Sequence, residues 1–186
     1  FFEELAQDQS CLDAPYPFTS TFERYLYLSG ESRWPIPQYD TTWGQIIMLS
    51  GLPGVGKDTY IRHNLPDLPV VSLDDIRDEL GVSPTAAQAR VIVAAKERAT
   101  ELLRKRQAFI WNATNLTPMI RKKQSALFHA YGASTRIVYL ETDWPELLRR
   151  NTARNRTVPQ GVMQHMLKQL ALPLPSEAQD IVWNCV

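Results

Sequence analysis

Cysteine is scarce. Cys11 and Cys185 sit near opposite ends of 186 residues, a spacing that suits neither a disulfide framework nor a metal cluster and points to a reducing, cytoplasmic setting. Net charge is lacking too: 20 Lys and Arg balance 20 Asp and Glu, so no overall field favours a polyanionic partner. No apolar run is long enough to cross a membrane, and no signal peptide follows Phe1. The three histidines, His63, His129 and His165, show no metal-ligand spacing. What remains is ordinary for a globular chain, with 44% apolar and 22% charged residues, which excludes disordered, collagen-like and membrane proteins. The length suits one domain with roughly forty residues to spare. A chain that opens on Phe1 reads as a segment cut from a longer protein.

The neutral total hides a division. Residues 1–44 carry two basic and seven acidic side chains, for −5, and residues 45–186 carry the compensating +5. Ten of the 18 aromatic residues lie in the same N-terminal stretch. Such an arm is too apolar for disorder and too short for a core of its own. Ser20 and Glu23 form a capping-box pattern, which predicts a short helix through Leu28 with Phe22, Tyr25 and Leu26 on one side. The arm either packs on the main domain or on a missing neighbour, or offers a stacking platform to a nucleobase.

From Gln45 the pattern alternates. Short apolar runs predict strands at 46–49, 70–73, 108–111 and 136–140, of the kind buried on both faces of a parallel sheet. Helices are expected at 57–63, after Leu73 to Leu80, from Ser83-Pro84 to about 106, from Thr117-Pro118 to about 131, at 144–153 and at 161–170; the two Ser/Thr-Pro pairs read as N-caps followed by proline. Strands separated by helices mean a three-layer α/β domain with a parallel sheet, here residues 45–172. Residues 173–186 read as an uninformative tail.

Gly51-Leu52-Pro53-Gly54-Val55-Gly56-Lys57 lies between the first strand and the first helix, the setting a phosphate-binding P-loop requires. Its glycines let successive backbone N–H groups turn around an anion, the helix N-terminus adds its dipole, and Lys57 meets the outer phosphates. One position departs from the pattern. Ser or Thr usually follows the lysine and ligates Mg²⁺, whereas here Asp58 follows, with Thr59 next. Asp58 either holds Mg²⁺ or Mn²⁺, directly or through water, or simply complements the dipole of the helix's first turn.

Two further segments carry chemistry. Ser72-Leu73-Asp74-Asp75-Ile76-Arg77 puts Asp74 at the carboxyl end of the second strand, beside the crevice where open α/β sheets bind ligands. Asp74 is placed to accept a hydroxyl proton, and Arg77, three residues on, to fork onto a phosphate; the plain alternative is a helix cap with a surface ion pair. Downstream, four arginines fall within residues 149–156 without an acid among them. In a P-loop phosphotransferase such a stretch is an arginine-rich lid; elsewhere it is a solvated face. The clusters Arg104-Lys105-Arg106 and Arg121-Lys122-Lys123 either extend a phosphate-tracking surface or mark helix ends.

The segments GLPGVGKDT (51–59), SLDDIR (72–77), NATNLTPMIRK (112–122) and ELLRRNTARNRTVP (146–159) resemble, in this order, the 5′-hydroxyl polynucleotide kinases of the bacteriophage end-repair type and their bacterial relatives. The resemblance covers about residues 45–172 and implies a P-loop kinase fold that uses Mg²⁺ and ATP or another nucleoside triphosphate. It implies that Gly51, Pro53, Gly54, Val55 and Gly56 wrap the phosphates, that Lys57 contacts the β- and γ-phosphates, and that Thr59 contacts the α-phosphate. Asp74 becomes the general base for a 5′-OH of RNA or DNA, and Arg77 the clamp on the adjoining 3′-side phosphate. Arg154 falls at the catalytic lid arginine, supported by Arg150 and Arg156. Many relatives carry Asp at or next to Asn112, where it organises the metal; with Asn112 neutral, the carboxylate is expected to have moved to Asp58, leaving Asn112 to act through water. Such kinase modules are often fused to other end-healing domains. The competing expectations are a small-molecule P-loop kinase, including one acting on a sugar nucleotide, and a nucleotide-gated binding module without transfer activity.

Overall fold

The computed structural model describes residues 18–32, 38–83, 86, 88–154 and 157–185. Five strands form one sheet: β1 (Gln45–Ser50), β2 (Val70–Ser72), β3 (Ile110–Asn112), β4 (Ser134–Glu141) and β5 (Asp180–Cys185), in the order β2-β3-β1-β4-β5. Every neighbouring pair is parallel, as strand–helix–strand connections require.

Successive residues of a strand face opposite sides of the sheet, and β1 uses both. Ile46 and Met48 enter one core with Phe109, Trp111 and Phe128. Ile47 and Leu49 enter the other with Val55, Leu147 and Met163. Over the first face lie α4 (Ala89–Arg104) and α5 (Pro118–Ala130), and over the second α2 (Lys57–Asn64), α6 (Trp144–Thr152) and α7 (Gln160–Gln169). Helix α4 buries Val91, Ala95, Ala99 and Leu103, one stripe at four-residue spacing. This is the expected three-layer α/β architecture.

The helix starts follow their capping chemistry. Thr117 accepts from the Ile120 N–H, with Pro118 in the first turn, and Asp143 accepts from the Glu146 N–H. The short α3 (Leu73–Glu79) begins at Ser72, whose hydroxyl accepts from the Asp75 N–H at 3.2 Å. Leu73 therefore opens a helix instead of closing β2. Helix α4 starts at Ala89, later than the Ser83-Pro84 signal, and Pro84 lies outside the described residues. Residues 180–185, expected in the tail, are strand β5 at the sheet's edge.

In the N-terminal arm, α1 (Thr21–Ser29) is capped by Ser20 as expected. Glu23 reciprocates one residue earlier, accepting from the N–H and hydroxyl of Thr19 at 2.7 and 2.8 Å. Phe22, Tyr25 and Leu26 are buried. The rings of Phe22 and Tyr25 approach that of His129 on α5, and Arg24 reaches the Gln179 carbonyl. The described part of the arm thus packs on the domain, and its buried rings are closed to a nucleobase. Phe1, Phe2, Tyr16 and Trp34 lie outside the described residues.

Candidate functional site

All five strands run the same way, so their carboxyl ends meet along one edge, the place where open α/β sheets bind ligands. The loop from Gly51 to Gly56 joins β1 to α2 there. Gly51 adopts φ 149°, and a Cβ on it would lie 2.5 Å from the Leu140 carbonyl oxygen. Gly56, the N-cap of α2, adopts φ 105°, in the left-handed region that favours glycine. The turn after β3 holds the loop from below: Thr114 accepts the Gly51 N–H, Asn115 donates its amide to Leu49 at 2.6 Å, and Ser50 donates to the Asn115 carbonyl.

Lys57 donates to the carbonyls of Gly51 and Leu52, each at 2.9 Å. Its side chain keeps some contact with water, yet the protein packed around the ammonium lowers its pKa to about 8. Desolvation outweighs the attraction of Asp58 and Asp74, and the nearby charge of Arg154 adds to the lowering. Asp58, Asp74 and Arg154 therefore each lie within electrostatic reach of Lys57.

Asp58 is exposed in the first turn of α2 and accepts from the Asn112 amide at 2.9 Å. Asn112 ends β3 in register with Ser72 at the end of β2, which brings the start of α3 alongside. There Asp74, the second residue of α3, is ion-paired with Arg77. Arg77 is largely covered while Asp74 faces solvent, and the Arg77 Nε donates to the Gln88 side-chain oxygen at 2.8 Å. Thr59 is exposed and accepts from Arg62.

The arginine-rich segment approaches from the other side. Arg150 donates to the Val55 carbonyl at 3.3 Å and to Glu146 at 2.6 Å. Glu146 also takes two bonds from Arg149, and these arginines hold its carboxyl down at about 2. The buried amide of Asn151 donates to the Val158 carbonyl and accepts the Val158 N–H. That pair clasps the two sides of the stretch that carries Arg154. Arg156 lies outside the described residues. A cleft of about 620 Å³ lined by Glu141, Thr142, Asp143, Glu146, Arg150 and Cys185 opens beside the loop.

The two basic clusters part ways. Arg104, Lys105 and Arg106 end α4 just before β3 begins, at the opposite edge of the sheet from the P-loop. Arg121 is fully buried, paired with Glu177 and bonded to the carbonyls of Asn115, Leu116 and Leu172. The first cluster therefore marks a helix end, and in the second Arg121 serves the core while Lys122 and Lys123 stay exposed. The polar residues that sequence reasoning passed over are Gln88 and Asn151; single polar residues in helices look like surface, and only their partners reveal them.

Solved structures share this fold. A candidate kinase from Chloroflexus aurantiacus has a TM-score of 0.59 at 18% identity, over 78% of this chain and 86% of its own. A chain of the Pnkp1/Rnl/Hen1 complex has 0.56 at 19% identity, over 66% of this chain and 43% of its own. A gluconokinase from Sinorhizobium meliloti has 0.55 at 18% identity, over 78% and 84%. At such identities the likeness speaks for a P-loop kinase-like fold. Residues 46–173, more than half of the sequence, match the AAA domain family AAA_33, and the chain belongs to that family.

Proposed function

We propose that this protein is a polynucleotide 5′-hydroxyl kinase, transferring the γ-phosphoryl group of a nucleoside triphosphate to a 5′-OH end of RNA or DNA. The observation that carries the reading is the Asp74–Arg77 pair within electrostatic reach of Lys57. A carboxylate that takes a proton and a guanidinium that takes a phosphate, one helical turn apart, match an acceptor bearing a hydroxyl and a phosphodiester on one sugar. The order of the four segments supports the same family.

In this reading the loop amides and Lys57 grip the triphosphate, and the cleft beside Arg150 gives room for its nucleoside. Asp74 takes the proton of the 5′-OH as that oxygen bonds to the γ-phosphorus. The bond from phosphorus to the β–γ bridging oxygen breaks, and the nucleoside diphosphate leaves with that electron pair. Lys57 and Arg154 neutralise charge on the transferring group, the largest electrostatic contribution open to the site.

Asp58 fits a divalent cation. Its carboxylate is exposed beside the loop, one oxygen is steadied by Asn112, and no cluster of three or more His, Cys, Asp or Glu occurs among the described residues. Mg²⁺ suits such a place because it keeps several waters and takes few protein ligands. Bound there, it would supply charge neutralisation to the phosphates.

The test is transfer of labelled γ-phosphate to a short 5′-OH oligonucleotide, a nucleoside 3′-phosphate, a free nucleoside and gluconate. Labelling of the first two but not the last two supports the reading. Labelling of gluconate or the free nucleoside alone overturns it in favour of a small-molecule kinase, and labelling of none overturns it in favour of a binding module.

A further inference from the structure

Gln88, at the start of α4, spends its whole amide on fixed partners. Its nitrogen donates to the Ser83 carbonyl at 3.0 Å and to the Ala86 carbonyl at 2.6 Å. Two acceptors on one side leave no choice of orientation, since a flipped amide would set its oxygen against both carbonyls. The oxygen therefore points at Arg77, and the Arg77 Nε donates to it at 2.8 Å. Arg77 is held at its other end by Asp74 through Nη1. Its backbone is fixed as well, its carbonyl accepting from the Val82 N–H at 3.0 Å.

The guanidinium is thus anchored along two edges. The nitrogen between them, Nη2, is the donor still available for a phosphate, and it lies next to the carboxylate that would take the acceptor's proton. An arginine side chain has many rotamers to lose, so a fork free to swing would lose much of its grip in being ordered by the acceptor.

We infer that Gln88 is a positioning residue: it aims Arg77 at the phosphate on the 3′ side of the acceptor hydroxyl and so sets the preference for acceptors that carry one. The inference rests on the function proposed above. It makes no demand on Gln88 to touch substrate.

The test uses the full chain with Gln88→Met, which keeps length and loses the amide, and Gln88→Glu, which keeps an acceptor for Arg77 but turns an oxygen on two carbonyls. The first readout is independent of activity. In a proton–nitrogen correlation spectrum, the Arg77 Nε–H signal, identified by its loss in Arg77→Lys, is protected from exchange in the native chain and unprotected in Gln88→Met. The second is the ratio of kcat/KM for a nucleoside 3′-phosphate to that for the free nucleoside. It falls at least tenfold in Gln88→Met, chiefly through KM for the phosphate-bearing acceptor, and Gln88→Glu falls between.

Protection unchanged in Gln88→Met overturns the inference, as does protection lost with the ratio intact. A native enzyme that shows protection but does not favour the 3′-phosphate keeps the tether and overturns the function proposed for the site. A Gln88→Met chain with lowered melting temperature and both acceptors equally slowed means a structural role and overturns the inference too.

Discussion

Raising the pH from 7 to 9 in the presence of EDTA is expected to weaken nucleotide binding by stripping the proton from Lys57. Its pKa is lowered to about 8, with burial as the largest cause. At pH 7 roughly nine in ten molecules carry the charge, and at pH 9 roughly one in ten. A bound triphosphate sets several negative charges against the ammonium and raises its pKa again, so binding at pH 9 takes up close to one proton. The apparent Kd then rises about tenfold over these two units, or ~1.4 kcal/mol. Phosphate groups lose their last proton near pH 6, so the nucleotide contributes little between 7.5 and 9. Calorimetry in two buffers of different ionisation enthalpy reads the proton directly, and Lys57→Met should bind weakly and without the pH dependence. The same displacement of pKa acts on stability. Between about pH 8 and 10.5 the unfolded chain holds a proton that the folded chain has released, so stability rises with pH in that window. Removing the buried charge in Lys57→Met should stabilise the protein at pH 7 by up to about 3 kcal/mol, as a site that gives up stability for function would. A Kd constant within twofold from pH 7 to 9, or an equal pH dependence in Lys57→Met, refutes the reasoning.

Asp74→Ala should lower turnover of a 5′-OH acceptor by at least ~10² while nucleotide affinity, measured by dye displacement, changes less than about threefold. Gly51→Ala, with its Cβ 2.5 Å from the Leu140 oxygen at φ 149°, should cost roughly 1–3 kcal/mol in backbone strain alone. Gly161→Ala, in α7 with open space around it, should be neutral or stabilising by up to ~1 kcal/mol; melting temperatures compare the two. Glu177→Leu leaves the Arg121 guanidinium buried without its partner and should cost about 3–5 kcal/mol by denaturant unfolding.

The sheet and its loop were legible because each rests on a local signal. Ile46 to Leu49 could bury both faces only inside a parallel sheet, and the glycines with Lys57 had no cheaper explanation than an anion site. Strand β5 was not legible. Asp180 to Cys185 mix polar and apolar residues without strict alternation, since this edge strand turns Ile181 to one core and Val182 to the other yet leaves Trp183 exposed. Arg121 misled by its neighbours: within Arg121-Lys122-Lys123 it reads as surface charge, yet Gln124, Ser125 and Phe128 put it on the buried stripe of α5. Its partner Glu177 lies 56 residues away, and no window of sequence contains such a pair. For the candidate site, Asp74, Arg77 and Asp58 were visible as residues with suitable chemistry. The devices that aim them, Gln88 on Arg77 and Asn112 on Asp58, depend on contacts across elements and became visible only in three dimensions.

The contact between Asp58 and Asn112 bears on how a carboxylate beside the loop is tolerated. Relatives that the sequence resembles often carry the acid at or next to position 112. Here Asn112 donates its amide to Asp58 at 2.9 Å, so acids at both positions would set two negative charges in contact beside the phosphates, and neutral residues at both would leave no acid to share with a cation. One acid and one amide is the arrangement that avoids both costs, and in principle either position can hold the acid. Four proteins test this exchange: the native chain, Asp58→Ser, Asn112→Asp, and the two changes together. Each is titrated with Mg²⁺ at fixed nucleotide, following both nucleotide affinity and transfer. Asp58→Ser should raise the Mg²⁺ concentration needed for half-maximal affinity at least tenfold by losing the carboxylate, and Asn112→Asp should weaken metal-free nucleotide binding by setting a second negative charge beside the phosphates. The double variant should recover most of what Asp58→Ser loses. If it binds no better than Asp58→Ser alone, the two positions do not share one charge and Asp58 serves only the dipole of its helix.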